Sequence, residues 1–214
     1  MIFLFTILVL SYLVGSIPTA IITSKVVMRD DIRKHGSGNA GATNVFRVMG
    51  WKPAVFVVLV DVGKGVVATL LISKIGAGSI PLDETVVRIL AGLCAIVGHI
   101  WTVFAGFHGG KGVGTAFGVL VVLAPVASLI TLVVWLVLVL IIRIVSVGSL
   151  VAGIVFPTVL FIQRYIGKVD IHDALLVVSL LLCVLVFVTH RSNIRRLLRG
   201  EENRFGLKKE EASS

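Results

Sequence analysis

Long apolar stretches alternate with short polar segments along the whole chain. The first charged side chain is that of Lys25, so the first stretch runs from residue 1 to 24. The later apolar stretches are 53–73, 86–106, 112–142, 149–166 and 173–190. A helix needs about 20 apolar residues to cross a bilayer. The pattern therefore predicts a chain of membrane-spanning helices joined by short loops.

The stretch 112–142 is too long for a single crossing. As one helix its 31 residues would reach about 46 Å, against a hydrocarbon core of about 30 Å. Pro125 lies near its middle, and proline interrupts helices. We therefore expect two helices, 113–124 and 126–142, that form a hairpin. The predicted fold is an all-α integral membrane protein of seven transmembrane helices.

Composition and charge agree with a membrane protein and indicate its orientation. Hydrophobic residues make up 57% of the chain and charged residues 14%, which excludes a disordered chain and an ordinary soluble enzyme. With seven helices, 15 of the 20 Lys and Arg side chains lie on one side and four on the other, with Lys64 inside a helix. By the positive-inside rule this distribution places the N-terminus outside and the C-terminus in the cytoplasm. The net charge of +9 then needs no nucleic-acid partner.

The first polar segment contains SGNAGATNVFR at 37–47. Its glycines allow close backbone approach, and successive N–H groups form anion-binding nests. An arginine adds a planar fork that matches phosphate. The candidate phosphate-binding residues are Ser37, Asn39, Gly41, Thr43, Asn44 and Arg47. A flexible loop that touches lipid headgroups also fits this segment. The G-x-G-x-x-G match at 36–41 lacks the preceding strand of a dinucleotide site.

The second polar segment, FHGGKGVGT at 107–115, places a lysine among glycines directly before a predicted helix. One ammonium, several N–H groups and a helix N-terminus together suit a phosphate. The candidate residues are Gly109, Gly110, Lys111 and Gly112. The segment is not a Walker A loop, because a glycine and not Ser or Thr follows the lysine. A tight turn with an interfacial lysine is the alternative interpretation.

Two further polar segments lie on the same predicted side. In HRSNIRRLLRGE at 190–201, His190 and Asn193 share a helical face, whereas the arginines after them are typical of membrane anchors. The polar residues from 200 onward are expected to be solvated. A short turn contributes Arg143, Ser146 and Ser149, which suit either a polar headgroup or ordinary helix capping.

Some polar residues lie inside the predicted helices. Asp61 and Lys64 are three residues apart and can pair on one helical face. Ionisable groups in a membrane favour a functional role, but a neutralised structural pair fits equally well. His99 is expected to be packed and hydrogen-bonded, and Pro18 predicts a kink in the first helix.

The residues alone leave two kinds of protein open. The four polar segments are predicted to meet at the cytoplasmic surface and to recognise an anionic, phosphate-bearing group. No Cys/His spacing suits a metal ion, and no G-x-S-x-G nucleophile is present. A lipid-modifying enzyme and a transporter for an anion or a lipid phosphate both fit this description.

The three longest polar segments resemble the signature segments of a known family. SGNAGATNVFR, FHGGKGVGT and HRSNIRRLLRGEE are similar to those of the bacterial acyl-phosphate:glycerol-3-phosphate acyltransferases, the PlsY family. The motifs occur in the family's order, and the resemblance runs to about residue 205. Two flanking positions depart from the pattern: Gly114 stands where alanine is expected, and His108 where lysine is expected.

The resemblance implies a multi-pass protein of the bacterial inner membrane with a cytoplasmic active site. One acyltransferase domain, 1–205, is followed by a short polar tail, 206–214. The implied reaction transfers a fatty acyl group from acyl phosphate to the 1-hydroxyl of glycerol 3-phosphate and gives lysophosphatidic acid and phosphate. The acyl chain would lie between helices, in contact with membrane lipid. The family implies no metal or nucleotide cofactor, no nucleic acid and no obligate protein partner.

The resemblance also implies roles for individual residues. It makes Ser37, Lys111, His190 and Asn193 catalytic and places Arg47 on a phosphate, with Ser146 and Ser149 nearby. The loop glycines are expected to donate N–H groups to the developing oxyanion. Either His190 or a substrate phosphate oxygen takes the hydroxyl proton. A transporter remains the alternative, although the proposed outer loops, 74–85 and 164–172, lack glycine-rich phosphate motifs.

Overall fold

A computed structural model describes residues 1–204, and its regular structure consists of helices. In chain order the α-helices are α1 (Ile2–Ser16), α2 (Thr19–Met28), α3 (Ala42–Met49), α4 (Trp51–Leu70), α5 (Glu84–Ile100), α6 (Val113–Leu123), α7 (Pro125–Ile142), α8 (Val145–Tyr165), α9 (Asp173–Thr189) and α10 (Arg191–Leu198). The tail predicted at 206–214 lies outside the described residues.

Helices occupy every apolar stretch that the sequence pattern singled out. The division of the longest stretch is confirmed: α6 ends at Leu123, and Pro125 is the first residue of α7. A proline is favourable there because the first N–H of a helix has no partner to lose.

An all-helical integral membrane fold is confirmed. The predicted number of seven crossings is not. Among the described residues, the stretches long and apolar enough to cross a membrane are Ile2–Met28, Trp51–Lys74, Glu84–Ala105, Pro125–Ile142 and Val145–Tyr165. The helices α9 and α10 make a sixth if this pair, bent by 58°, is one span. The 11 residues of α6 reach only about 16 Å, roughly half of the hydrocarbon core.

The first helix breaks at Ile17 and Pro18, where a kink was predicted. The carbonyl oxygens of Ser16 and Ile17 accept hydrogen bonds from the side chains of Thr102 and Lys64. The carbonyls at the break are thus satisfied by side chains from other parts of the bundle, as a membrane interior requires.

The helix α5 lies at the centre of the bundle and contacts α1, α4, α6 and α9. Small residues bring the backbones close. A Cβ atom added to Gly65 would lie 2.2 Å from the carbonyl oxygen of Thr115, and one added to Gly118 would lie 2.0 Å from that of Val62. This is typical of helices packed in lipid. The outward faces carry large exposed apolar side chains such as Leu140, which suits contact with lipid.

Candidate functional site

Three of the four predicted polar segments meet at one end of the bundle. They enclose an open pocket of about 220 Å³. The lining residues are Ser37, Gly38, Asn39, Lys111, Ser192, Asn193 and Arg196. Hydroxyl, amide and cationic groups thus surround a space large enough for a phosphate-bearing molecule.

The loop that carries Ser37 is shaped by Asn44. The side-chain oxygen of Asn44 accepts the Ser37 N–H at 2.8 Å, and its nitrogen donates to the carbonyls of Ile32 and His35 at 3.2 and 2.9 Å. Asn44 is fully buried at the start of α3. Its amide therefore organises the loop and does not line the pocket, which differs from the predicted contact with substrate.

The other residues of this segment lie along the start of α3. Gly41 precedes the helix, and its carbonyl accepts the N–H groups of Asn44 and Val45. Thr43 and Arg47 follow, one turn apart and half-buried. Within the described residues Arg47 forms no hydrogen bond or ion pair, although it lies within electrostatic reach of Lys111. Its guanidinium is therefore available to an anion.

Lys111 joins the second segment to the third. Its ammonium donates a hydrogen bond to the side-chain oxygen of Asn193. Burial lowers the pKa of Lys111 to about 8; the charges of Arg196 and Arg47 act in the same direction and that of Glu202 against them. A cation that burial makes costly is stabilised when an anion binds beside it.

The glycines before Lys111 serve packing. The N–H groups of Gly109 and Gly110 donate to the carbonyls of Ile100 and His99 at 3.0 and 3.1 Å. A Cβ atom on Gly109 would lie 2.0 Å from the His99 carbonyl oxygen. The expectation that these two N–H groups stabilise an oxyanion is therefore wrong, because both are already used. Gly112 has a φ of +80° immediately before α6, a conformation that favours glycine.

His190 is buried where α9 ends. Its Nδ1 lies 2.8 Å from the carbonyl oxygen of Val186. Since a carbonyl can only accept, Nδ1 carries a proton and donates it in this bond. In the neutral ring Nε2 is then an acceptor, and the positive charge of Lys111 is close by.

Glu202 is a site residue that the sequence analysis did not single out, although it is the last residue of the third signature segment. Its side chain is 2% exposed. One oxygen accepts hydrogen bonds from Ser146 at 3.0 Å and Asn193 at 2.6 Å, and the other accepts the Arg196 Nε–H at 2.7 Å. Burial raises the pKa of Glu202, but the hydrogen bonds from Asn193, Arg196 and Ser146 outweigh it and hold the pKa below its usual value. The predicted solvation of the chain beyond residue 200 is wrong at this position.

The fourth segment, the turn with Arg143, Ser146 and Ser149, contributes fewer residues to the pocket than predicted. Ser146 reaches the site through Glu202. Ser149 donates to the Val145 carbonyl at 3.1 Å and accepts from the Trp135 indole at 3.4 Å, so its hydroxyl serves helix packing. Arg143 is exposed at the end of α7 and does not line the pocket. Arg196, interpreted from sequence as a membrane anchor, lines it in its place.

The site thus combines two cations that line the pocket, Lys111 and Arg196, and a third within electrostatic reach, Arg47, with one buried carboxylate. Glu202 accepts three hydrogen bonds, of which only the one from Arg196 Nε comes from a cation, so the cations retain donors for an external anion. Within residues 1–204, no cluster of three or more His, Cys, Asp or Glu side chains is placed to hold a metal ion. Such an arrangement is chemically suited to phosphate groups beside an apolar bundle.

Comparisons with known proteins agree on one family. Residues 5–200 match the family model described as glycerol-3-phosphate acyltransferase. A glycerol-3-phosphate acyltransferase of Chlorobium luteolum is 44% identical, over 94% of this chain and 96% of that protein. Another, from Chlorobium phaeobacteroides, is 45% identical over 95% and 97% of the two chains.

Two crystal structures share the fold. Both are of PlsY, an integral membrane glycerol 3-phosphate acyltransferase. The glycerol 3-phosphate form has a TM-score of 0.83 and 36% identity, over 95% of this chain and 96% of that one. The lysophosphatidic acid form has a TM-score of 0.80 and 35% identity, with 95% of each chain covered.

Proposed function

The chain belongs to the glycerol-3-phosphate acyltransferase family, and from this premise we propose that its acyl donor is acyl phosphate and that its pocket holds the phosphates of both substrates. The enzyme transfers a fatty acyl group to glycerol 3-phosphate and forms lysophosphatidic acid. The observation that carries the proposal is the pocket in which Lys111, bonded to Asn193, faces Ser37 and Arg196.

The proposed reaction needs no covalent intermediate on the protein. The 1-hydroxyl oxygen of glycerol 3-phosphate attacks the acyl carbonyl carbon, and the bond from that carbon to the phosphate oxygen breaks. The hydroxyl proton ends on the departing phosphate, either directly or through His190 Nε2. Because acyl phosphate is already activated, the protein contributes positioning and charge stabilisation.

The proposed roles follow from the geometry of the pocket. Lys111, Arg47 and Arg196 hold the phosphates, and Lys111 is oriented by Asn193. Ser37 and Asn39 line the pocket and offer uncharged hydrogen-bonding groups. Glu202 does not contact substrate. It orients Asn193 and Arg196 by accepting hydrogen bonds from their side chains.

We also propose the membrane arrangement that the charge distribution favours. Seven helices cross the bilayer, and the N-terminus lies outside. The helices α6 and α7 form a hairpin in which α6 is the shorter helix. The support is the excess of Lys and Arg on the side of the pocket. The site then faces the cytoplasm of a bacterial inner membrane, and the residues up to 205 form one acyltransferase domain.

A defined assay tests the donor. Purified enzyme is given glycerol 3-phosphate with either acyl phosphate or the acyl-CoA of the same chain length, and lysophosphatidic acid and the released phosphate or CoA are measured. We expect turnover with acyl phosphate and one phosphate released for each acyl group transferred. Glycerol in place of glycerol 3-phosphate is the control and should give little product. Equal turnover with acyl-CoA would refute the proposed donor.

A further inference from the structure

A buried polar cluster lies inside the bundle, separate from the residues that line the pocket. Asp61 on α4 is its centre. The Lys64 Nζ lies 2.6 Å from one Asp61 carboxylate oxygen, and the His99 Nδ1 faces the same oxygen at 3.7 Å. None of the three residues is more than 9% exposed.

His99 supports the turn before Lys111 in two ways. Its carbonyl accepts the Gly110 N–H at 3.1 Å. Its ring packs so closely that a Cβ atom on Gly110 would lie 2.2 Å from His99 Nε2. The same Cβ atom would lie 2.9 Å from the carbonyl oxygen of Ala40, in the first loop. Gly110 is thus held between the histidine and that loop, and Lys111 is the next residue.

The cluster also contacts the chain on the other side of Lys111. A Cβ atom on Gly114, in the first turn of α6, would lie 3.4 Å from the Asp61 Cβ. Lys64 donates a second hydrogen bond to the Ile17 carbonyl at the break between α1 and α2. Polar side chains therefore link the broken helix, α4, α5 and the Gly110 turn, and Asp61 also packs against the start of α6, so the cluster borders both ends of the segment that carries Lys111.

Charged groups buried in a membrane protein carry a large desolvation cost, and apolar residues of similar volume often pack as well or better. Helix packing alone therefore gives no reason to keep these charges buried. A role in fixing the position of nearby pocket residues does give one. We infer that Asp61, Lys64 and His99 are positioning residues that set the location of Lys111 through the Gly110 turn and the start of α6. The inference rests on the proposed role of Lys111 in holding a phosphate.

Two changes test the cluster without leaving one buried charge alone. His99→Asn keeps a neutral polar side chain on α5 and removes the ring beneath Gly110. The pair Asp61→Asn with Lys64→Gln replaces both charges by amides of similar size. We expect each to lower kcat/KM for glycerol 3-phosphate by roughly tenfold or more, since small displacements of catalytic groups have effects of this order. Cys94→Ala, also on α5 and half-buried, is the matched control and should stay within about twofold of the parent.

A double-mutant cycle separates positioning from a general structural role. Each change is combined with Lys111→Ala, or with Lys111→Arg if the alanine variant falls below detection. If the cluster acts through Lys111, the second change costs less than about twofold once Lys111 is altered. Losses that multiply would overturn the inference, and so would full activity of His99→Asn. If Lys111→Ala itself kept full activity, the proposed phosphate site would fail, and that result is distinguishable because it needs no change in the cluster.

Discussion

Lys111 is the residue on which the proposed site depends most, because it joins two motifs and is buried as a cation. Lys111→Ala should insert and purify normally but lose at least tenfold in kcat/KM. One charge-assisted hydrogen bond to phosphate contributes about 1.5–3 kcal/mol. Arg199→Ala is the control, since Arg199 is exposed beyond α10. Near-parental kcat/KM for Lys111→Ala would contradict the proposed site.

The lowered pKa of Lys111 gives the enzyme a pH dependence with a definite sign. Since the charged form binds phosphate, kcat/KM should fall as pH rises through about 8, the pKa of Lys111. The substrate phosphates are already ionised above pH 7. In Lys111→Arg the guanidinium stays charged, so the lower residual activity should not show this fall. An unchanged fall in Lys111→Arg would assign the titration to another group.

Glu202 and Glu201 form a matched pair of neighbouring carboxylates. Glu202 is buried and accepts three hydrogen bonds, whereas Glu201 is exposed. Glu202→Ala should destabilise the protein by about 3 kcal/mol, at the lower end for a broken buried ion pair, because Arg196 remains 29% exposed. Glu201→Ala should change neither unfolding temperature nor activity. Equal unfolding temperatures for the two variants would contradict the assigned role of Glu202.

The sequence predicted the site residues that lie within compact motifs. Ser37, Lys111 and Asn193 line the pocket as expected, because their chemistry is visible from neighbouring glycines and helical spacing. The sequence did not separate Arg196, which lines the pocket, from Arg195, which is exposed. That distinction depends on the direction in which α10 leaves α9, a tertiary feature with no local pattern.

At the scale of helices, two glycines of α6 should respond oppositely to alanine. A Cβ atom on Gly114 meets only the Asp61 Cβ, at an ordinary 3.4 Å, whereas one on Gly118 meets the Val62 carbonyl oxygen at 2.0 Å. Gly114→Ala should be tolerated and stabilise by up to about 1 kcal/mol. Gly118→Ala should separate α6 from α4 and cost about 1–3 kcal/mol or more. Thermal unfolding in detergent measures both, and a stable Gly118→Ala would contradict the close packing.

The helix positions were largely predictable, and the number of crossings was not. Long apolar runs and Pro125 predicted the long apolar helices but not the short α3 and α10, because hydrophobicity and the missing proline N–H act locally. The depth that a helix reaches depends on its neighbours. Pro125 predicts where α6 ends, but the depth that this short helix reaches and the 58° bend between α9 and α10 depend on tertiary contacts, which no stretch of sequence specifies alone.

For the molecule as a whole, the charge distribution predicts which surfaces face the cytoplasm. The chain has two cysteines, Cys94 and Cys183, and both are replaced by alanine for the test. Single cysteines are then introduced as Lys52→Cys and Ser79→Cys, at exposed positions of the chain. An impermeant thiol reagent should label Ser79→Cys in intact cells and Lys52→Cys only after lysis. The opposite pattern would invert the proposed orientation.

The position of Glu202 beyond α10 has a consequence for how the enzyme is made. At about 5–20 residues per second, a ribosome adds Ser37 roughly 8 to 33 s before it adds Glu202. During that interval the helices enter the membrane one after another, and Asn193 itself is added only nine residues before Glu202. The site is completed only when residue 202 has emerged from the ribosome. If the proposed roles hold, an incomplete chain has an incomplete site, and the order of synthesis delays catalysis until every described helix of the bundle has been translated.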